Sequence, residues 1–246
     1  MKIIGIIPSR YGSTRFPGKP LIDIQGKSMI QRVYEQSIKS EIFAKVVVAT
    51  DDDRIYKHVQ QFGGDVRMTN ASHSCGTDRC IEVIESESET YDIVINIQGD
   101  EPLINPNQLE SLAKAFQDPS TEIATLVKPI ESMEILKDAS KIKVVIAQNG
   151  NALYFSRLAV PHTANCESAL NEGLYLKHIG IYAFRTNTLL KIMGLRQTPL
   201  EKSESLEQLR WLENGMNIKT VRTEFDSISV DVPADLDRVI RILNGA

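Results

Sequence analysis

The chain has few cysteines, no long apolar run and no excess of positive charge. It contains three cysteines, an odd number without a C-x-x-C pair, so reduced thiols are expected rather than a disulfide framework or a zinc site. No apolar run approaches the ~18 residues of a membrane-spanning helix, and the first run is too short for a secretory signal. The net charge of −4 argues against a nucleic-acid binder, which needs a basic face. These absences predict a cytoplasmic protein that binds neither membranes nor nucleic acids.

The residues that are present indicate a globular chain of the α/β class. Hydrophobic residues make up 42% and charged residues 24% of the 246 positions, which is ordinary for such proteins and suits one large domain. In the first half, apolar strand patterns alternate with helical patterns. The predicted strands are 3–7, 45–50, 65–68 and 93–97, and the predicted helices are 29–38, 54–61, 80–87 and 106–116. Repeated strand–loop–helix units predict a mixed, mostly parallel central sheet flanked by helices.

The second half of the chain predicts a smaller antiparallel part. Asn149-Gly150-Asn151 is a hairpin signal between two strand patterns. We expect a polar loop over 166–173, one amphipathic helix over 199–214, and a last helix that begins at Pro233 and ends at Leu243. The strands predicted in this half are 123–130, 143–146, 152–155, 177–184, 218–222 and 227–230.

The first strand leads into a loop that combines cations with glycines. After the apolar run Ile3–Ile7 and Pro8, the loop contains Arg10, Gly12, Ser13, Thr14, Arg15, Gly18 and Lys19. The cations supply charge, and glycines let backbone N–H groups approach phosphate oxygens closely. Ligands of open α/β sheets bind at this carboxyl edge. The loop therefore predicts a polyanion site, with a solvated turn carrying ordinary surface charges as the alternative.

Two well-known phosphate-binding motifs do not describe this loop. Five residues separate Gly12 from Gly18, whereas the ATPase phosphate loop has four, and Pro20 stands where that motif needs a hydroxyl. The dinucleotide fingerprint runs into a helix, which Pro17 and Pro20 oppose. The loop is therefore a different device from either motif.

Single carboxylates stand where two later strands end. Gly99 and Asp100 follow the strand predicted at 93–97, and Asp231 follows the one at 227–230. Magnesium binds one or two carboxylates and fills its other positions with water and phosphate oxygens. We therefore predict Asp100 and Asp231 as Mg²⁺ ligands, the alternative being that each caps a turn or a helix. In contrast, Asp51–Asp53 are predicted to cap the helix that follows them.

A polar loop precedes the helix predicted at 80–87. Ser74 or Thr77 suits the N-cap position of that helix. The N-terminus of a helix also attracts phosphate or base groups, so the residues alone leave capping and ligand binding both open.

Several stretches together resemble one enzyme family. IIPSRYGSTRFPGKPL is similar to the opening of the sugar nucleotidyltransferases of glycosyltransferase-A-like fold, in the branch that activates acidic sugars with CTP. The resemblance runs nearly end to end. It continues through VVVATDDDRI, SCGTDR, INIQGDEPLI, ALYFSR, KHIGIYAF, LEKSESLEQLRWLENG and VDVPADLDRV.

The resemblance implies a reaction and a set of site residues. The implied reaction transfers CMP from CTP to the acidic sugar 3-deoxy-manno-octulosonate (Kdo), with Mg²⁺ and release of pyrophosphate. The implied catalytic residues are Arg10, Lys19, Asp100 and Asp231. The implied nucleotide-binding residues are Arg10, Gly12, Ser13, Lys19, Ser74, Gly76 and Arg79. The implied sugar-binding residues are Arg15, Gln98, Arg157, His178, Tyr182, Glu207 and Gln208, with Arg157 as the partner of the sugar carboxylate.

For some of these residues the pattern alone favours a plainer role. His178 suits a satisfied polar residue on a strand, and Glu207 and Gln208 suit a wet helix face. The resemblance also implies a homodimer and a single domain over 1–246. Within it we expect a nucleotide-binding part at roughly 1–130, a sugar-binding and dimerisation part at roughly 131–225, and a return to the main sheet at 226–246.

Two rival functions remain from the sequence. The nearer is a cytidylyltransferase for a related acidic sugar, such as 8-amino-Kdo or a sialic-acid-like nonulosonate. The other is a non-catalytic nucleotide-binding subunit of the same fold, which we would expect to have lost the carboxylates or the loop cations.

Overall fold

A computed structural model describes residues 1–12, 16–73, 75–226 and 228–245. These residues form eleven strands, ten α-helices and a 3₁₀ turn at Lys19–Leu21. The strands are β1 (Ile3–Ser9), β2 (Asp23–Ile24), β3 (Lys27–Ser28), β4 (Phe43–Thr50), β5 (Val66–Met68), β6 (Ile93–Asn96), β7 (Ile123–Pro129), β8 (Lys143–Ile146), β9 (Ala152–Ser156), β10 (Leu176–Arg185) and β11 (Ile218–Arg222). The helices are α1 (Met29–Ile38), α2 (Asp53–Gln61), α3 (Gly76–Ser86), α4 (Pro106–Ala115), α5 (Met133–Lys137), α6 (Cys166–Asn171), α7 (Thr186–Ile192), α8 (Pro199–Glu204), α9 (Gln208–Glu213) and α10 (Pro233–Leu243).

The chain divides into two compact units. The first unit comprises Met1–Glu110 together with Ser227–Ala246, and the second comprises Ser111–Asp226. The end of the chain therefore belongs with its beginning.

The first unit is built on parallel strands in the order β6-β1-β4-β5. In the register of β1, Ile4 lies opposite Val94 on one side and Lys45 on the other. Ile4, Ile6 and Ile7 are fully buried, as expected of a β-branched strand covered on both faces. Because β1 and β6 are parallel neighbours, the loops after Ser9 and Asn96 lie at the same edge of the sheet.

Two helices of the first unit, α1 and α2, begin at side-chain caps. Ser28 accepts a hydrogen bond from the Gln31 N–H and caps α1, and Asp52 accepts one from the Arg54 N–H and caps α2. These caps are among the strongest local signals for a helix start. The C-terminal helix α10 is held by a separate apolar cluster, in which Ile24, Met29, Val230 and Val239 are fully buried.

The second unit contains antiparallel pairs. β10 pairs antiparallel with β7 and β8, β8 pairs antiparallel with β9, and β11 runs parallel to β7. The turn between β8 and β9 uses Gly150 at a φ of +82°, a left-handed conformation that glycine adopts without strain. The predicted hairpin and the mixed, mostly parallel α/β fold class are both confirmed.

The sequence predictions were wrong for four elements. Helix α3 begins at Gly76, not at Cys80, and its N-cap is Cys75, so Thr77 lies inside the helix; Ser74 is outside the described residues. The loop predicted over 166–173 contains α6, capped by the Asn165 side chain on the Ser168 N–H. The helix predicted over 199–214 is two helices, α8 and α9. The strand predicted over 227–230 is absent from 228–230, and Ser227 is not described.

One local conformation explains the largest of these differences. Ser205 takes a left-handed φ of +53°, which ends α8 before α9 begins, although nothing in the letters LEKSESLEQL marks a break.

In the described part of the chain, no helix combines the length and the apolar character needed to cross a bilayer.

Candidate functional site

A pocket of about 410 Å³ opens in the first unit, at the carboxyl ends of β1 and β6. It brings together eight of the predicted site residues from the first loop, the start of α3, the loop after β6 and the segment before α10. These residues are Arg10, Gly12, Lys19, Gly76, Arg79, Gln98, Asp100 and Asp231. Arg10 and Asp231, which lie 221 positions apart in the sequence (231 − 10), therefore line the same cavity.

The pocket is formed where the start of α3 and the loop after β6 pack against Pro8. A Cβ atom added to Gly99 would lie 2.8 Å from the Pro8 carbonyl oxygen, and one added to Gly76 would lie 3.3 Å from the Pro8 ring. Side chains at these two positions would push the loops apart. Glycine at 76 and 99 therefore lets the backbone after β6 and the start of α3 approach the end of β1.

Lys19 lies between the two predicted metal ligands. Its ammonium is 2.7 Å from Asp100 Oδ2 and 3.7 Å from Asp231 Oδ1, and only 13% of the lysine side chain is exposed. The Val230 N–H donates to the Asp100 carbonyl oxygen at 2.9 Å, which carries the next residue, Asp231, into the site. Both carboxylates thus face one cation.

Asp231 is not the residue that caps α10. That role belongs to Asp235, whose carboxylate accepts the N–H of Asp231 at 2.7 Å and the N–H of Val232 at 2.9 Å. The capping alternative for Asp231 is therefore not realised, and its carboxylate faces Lys19 instead.

The first loop is closed at its neck by backbone and aromatic contacts. The Gly18 N–H donates to the Tyr11 carbonyl oxygen at 3.0 Å, and Gly18 has a φ of +73°. The Arg54 guanidinium stacks 3.3 Å from the centre of the Tyr11 ring, a favourable cation–π arrangement. These contacts place Lys19 immediately after the neck, at the start of the 3₁₀ turn.

The acidic pair fits a magnesium ion by its chemistry. Two carboxylates that already share one point cation offer the hard oxygen ligands that Mg²⁺ prefers, and the ion takes its remaining ligands from water and phosphate. Among the described residues, no group of three acidic, histidine or cysteine side chains gathers into a metal site. Any metal held here would therefore depend on substrate oxygens as well as on Asp100 and Asp231.

Arg79 lines the pocket, but protein groups occupy its guanidinium. The residue is only 3% exposed, and it donates to Asp51 at 2.6 Å, to the Thr69 hydroxyl at 2.7 Å and to the Asn70 carbonyl at 3.3 Å. Asp51 is a functional-site neighbour that the sequence reasoning assigned to helix capping. Its position directly after β4, at the same edge as the other loops, was the available signal.

The loop before α3 is held by a second residue of that helix. Glu82 accepts the Asn70 N–H at 2.8 Å and contacts His73 Nε2 at 2.5 Å. Burial alone would raise the pKa of Glu82, but the hydrogen bonds from Asn70 and His73 hold it below its usual value. Arg79 and Glu82, one helical turn apart, thus fasten the loop that leads to Gly76.

The second unit gathers three of the predicted sugar-binding residues. The rings of His178 and Tyr182 are 5.2 Å apart, and Tyr182 contacts Trp211 edge-on at 4.9 Å. Burial, with the nearby negative charge of Glu207, raises the pKa of Tyr182 well above its usual value. Burial lowers the pKa of His178 to about 3, and its Nε2 lies 2.9 Å from the Thr125 hydroxyl. Near neutral pH, His178 is uncharged and Tyr182 keeps its proton.

Gln208 and Arg157 lie in the same unit as this cluster. Gln208 is buried at the start of α9, directly after Glu207. Arg157 follows β9, and its guanidinium donates to the carbonyl oxygens of Ala139, Glu204 and Ser205. The remaining predicted site residues, Ser13, Arg15 and Ser74, lie outside the described residues, and their roles stay predictions.

Comparisons with known proteins show the family of the chain. A family model described as cytidylyltransferase matches residues 4–218. A protein of Phocaeicola vulgatus named 3-deoxy-manno-octulosonate cytidylyltransferase is 52% identical over 243 residues, which cover 97% of this chain and 96% of that protein. A protein of the same name from Bacteroides thetaiotaomicron is 51% identical, covering 96% of both.

Solved structures extend the likeness to three dimensions. A structure described as CMP:2-keto-3-deoxy-manno-octonic acid synthetase complexed with CTP superposes with a TM-score of 0.93 at 44% identity, covering 100% of this chain and 99% of its own. The 4-diphosphocytidyl-2C-methyl-D-erythritol synthase of Anaerococcus prevotii, at 13% identity and a TM-score of 0.67, shares the fold. The chain therefore belongs to the cytidylyltransferase family, among the 3-deoxy-manno-octulosonate cytidylyltransferases.

Proposed function

We propose that the chain transfers CMP from CTP to Kdo, giving CMP-Kdo and pyrophosphate, with Mg²⁺ as its metal. The observation that carries the proposal is the meeting of Lys19 with Asp100 and Asp231 at the edge of the first unit's sheet. This combination of a cation with two hard anionic ligands suits a nucleoside triphosphate and its metal. Relatives at 51% and 52% identity bear the corresponding name.

The phosphates of CTP are the groups that the pocket must hold first. Arg10 and Lys19 supply positive charge, and Gly12 and Gly76, at the start of α3, line the same pocket, as suits a site for phosphate groups. Ser13 and Ser74 keep their predicted roles in nucleotide binding, and Arg15 keeps its predicted role in sugar binding. Because Arg79 is already committed to Asp51, it shapes the pocket wall and fixes the loop before α3.

Asp100 and Asp231 are the proposed metal ligands. When bound, a magnesium ion would neutralise phosphate charge and acidify the attacking 2-hydroxyl of the sugar. Lys19 would then exchange its carboxylate partners for phosphate oxygens, so the lysine holds the two carboxylates close together until the triphosphate arrives. Reactions of this type depend mainly on such positioning and electrostatics.

The sugar is the proposed ligand of the second group of residues. Arg157 suits the carboxylate of Kdo, as a guanidinium pairs well with a planar anion. Tyr182 is protonated and donates a hydrogen bond, whereas Glu207 and Gln208 accept from sugar hydroxyls. Since the pKa of His178 is about 3, that ring acts as a neutral hydrogen-bonding partner and not as an acid. Gln98 lines the pocket of the first unit and keeps its predicted role in sugar binding.

Pyrophosphate release tests this function directly. We expect release with CTP and Kdo, and much less with 8-amino-Kdo or sialic acid as the sugar. Release favouring one of those sugars would replace Kdo, and the absence of release with every acidic sugar would indicate a non-catalytic subunit.

The Asp100→Asn variant tests the metal role within the same assay. It keeps the size of the side chain but removes a charged ligand, so we expect a folded protein without measurable turnover. Full activity in that variant at saturating Mg²⁺ would remove Asp100 from the metal site. The matched control is Asp237→Asn, which changes a carboxylate on the solvent-facing side of α10 and should leave turnover unchanged.

A homodimer is proposed through the second unit. Leu153 and Leu158 are 60% and 71% exposed, and in the described part of the chain β9 pairs only with β8. An apolar edge strand of this kind is a common pairing surface. Light scattering should give twice the chain mass, and Leu153→Asp should reduce it. We place the reaction in the cytoplasm, as a supply step for lipopolysaccharide synthesis.

A further inference from the structure

Lys143 is a buried lysine that the proposed reaction does not use. Its side chain is inaccessible to solvent, and its ammonium donates to three backbone carbonyl oxygens: Asp138 at 3.0 Å, Lys141 at 2.7 Å and Arg157 at 2.5 Å. An ammonium has three donors, so each is directed at one carbonyl. Burial lowers the pKa of Lys143, and the negative charges of Asp138 and Glu204 offset part of that effect.

Glu204 holds the same segment from the other side. Its carboxylate accepts the Arg157 N–H at 2.9 Å and the Ser156 hydroxyl at 2.7 Å. Burial would raise the pKa of Glu204, but these hydrogen bonds keep it below its usual value. The N–H of residue 157 therefore bonds to the Glu204 carboxylate, and its carbonyl oxygen bonds to the Lys143 ammonium.

The same two residues also govern the Arg157 side chain. The Arg157 Nε donates to the Glu204 carbonyl oxygen at 2.7 Å, and its Nη1 donates to the Ala139 carbonyl oxygen at 3.2 Å. Ala139 lies between Asp138 and Lys141, whose carbonyl groups Lys143 holds. Backbone and guanidinium of residue 157 are thus fixed by one connected set of contacts.

We propose that Lys143 and Glu204 form a clamp that positions Arg157 for the carboxylate of the sugar substrate. Lys143 and Glu204 are positioning residues, since they reach the substrate only through Arg157. A packed apolar side chain at 143 would stabilise the unit at a lower desolvation cost than a buried ammonium. The directed hydrogen bonds are what such a side chain lacks, and they converge on residue 157.

The clamp rests on the proposed function, because it assigns Arg157 to an acidic sugar. The clamp adds the prediction that Lys143 and Glu204, which do not contact the substrate, affect sugar binding and leave CTP binding unchanged. Glu204 also ends α8, immediately before the left-handed Ser205 and the proposed sugar residue Glu207. Of the two clamp residues, only Glu204 therefore adjoins the turn that leads to Glu207, whereas Lys143 acts on the sugar through residue 157.

Steady-state kinetics on the full-length protein test the clamp. Lys143→Met removes the ammonium at similar side-chain volume, and Glu204→Gln removes the charge while keeping an acceptor oxygen. Losing one charged hydrogen bond to the substrate corresponds to about a tenfold change in affinity, so we expect each variant to raise the Kdo KM about tenfold. The CTP KM should stay within about twofold, because nucleotide phosphate groups do not depend on Arg157. Lys191→Met and Glu167→Gln, at exposed positions of the same unit, are the matched controls.

A double-mutant cycle separates positioning from general stabilisation. In an Arg157→Ala background, Lys143→Met should raise the Kdo KM no further, since the group that it positions is gone. Three results would overturn the clamp: a parental Kdo KM in either folded variant, an equal rise in the Kdo and CTP KM values, or additive effects in the cycle. If neither variant folds, the residues serve the fold and the proposal is also wrong. Failure of the proposed function looks different, because the parental protein itself would then release no pyrophosphate with Kdo.

Discussion

Gly99 is the position at which a single methyl group should disturb both stability and chemistry. A Cβ atom there would lie 2.8 Å from the Pro8 carbonyl oxygen and 3.5 Å from Ile7 Cγ2. Even close carbon–oxygen contacts lie at about 3.3 Å or more, so the two backbones must separate by about 0.5 Å. Neither side is the flexible end of a side chain. The Gly99→Ala variant therefore has to displace the loop after β6 or the end of β1.

The expected size of the effect follows from this geometry. Overpacking of a close contact costs about 1–3 kcal/mol, and for a chain of this length each kcal/mol lowers the melting temperature by about 2–4 °C. We therefore expect Gly99→Ala to melt about 2–12 °C below the parental protein. Because Asp100 is the next residue, its carboxylate should move relative to Lys19. A misplacement of about 1 Å in an active site can cost about a hundredfold in rate, and half that shift should lower kcat about tenfold.

Circular dichroism melting and pyrophosphate release measure the two effects on the same preparation. Gly194→Ala is the matched control: the nearest atom to its added Cβ would be the Lys191 carbonyl oxygen at 3.9 Å, an ordinary contact. That variant should keep its melting temperature and its kcat. Parental values of both quantities in Gly99→Ala would refute the close packing of the loops around Pro8, and with it the account of how Asp100 is placed.

Two further predictions concern residues that sequence reasoning assigned differently. Asp51→Asn should raise the CTP KM about threefold to tenfold and leave the Kdo KM unchanged, since it removes one charged hydrogen bond that holds Arg79 and the loop before α3. An unchanged CTP KM would show that the loop does not need this ion pair. Burial lowers the pKa of His178 to about 3, so the unfolded chain takes up this proton as the pH falls below about 6.5. The free energy of unfolding therefore carries no cost from His178 above that pH and falls below it, by up to about 1.4 kcal/mol per pH unit. Replacing the ring by His178→Gln should make the free energy of unfolding, measured with urea, depend less on pH between about pH 6.5 and 4.5. Because part of the residue remains accessible, we expect a slope below that limit, and an acid limb identical to the parental one would contradict the lowered pKa.

Much of the first unit was accessible from sequence because its signals are local. The apolar β-branched runs define β1, β4 and β6, and the cap predicted within Asp51–Asp53 is confirmed by the hydrogen bond from the Arg54 N–H to the Asp52 carboxylate. The bounds of α1, β8 and β11 agree with the prediction at both ends. In these stretches, propensity, pattern and tertiary packing all favour the same conformation.

The missed features depend on contacts that pattern analysis does not contain. The break between α8 and α9 rests on the left-handed conformation of Ser205, next to the Glu204 contacts that fasten Arg157. The partnership of Arg79 with Asp51 joins residues 28 positions apart, and only the parallel arrangement of the strands brings them together. The family resemblance implies that Arg79 binds the nucleotide, and the sequence holds no sign that its guanidinium is bonded to Asp51, Thr69 and Asn70.

In the segment around Asp231, local and long-range contacts give two aspartates, Asp231 and Asp235, different roles. In VDVPAD, either aspartate is a candidate cap for the last helix. Pro233 favours the first helical position, so the N-cap falls on Val232, whose side chain has no oxygen to offer. The residue three positions after the N-cap is Asp235, and in a capping box that position reaches back to the free backbone N–H groups; it does so here, with bonds to the N–H groups of Asp231 and Val232. Asp231 is thereby released from capping, and the Val230 hydrogen bond to Asp100 places it beside Lys19. The proline therefore decides, through the helix start, which of the two carboxylates caps the helix and which one faces Lys19.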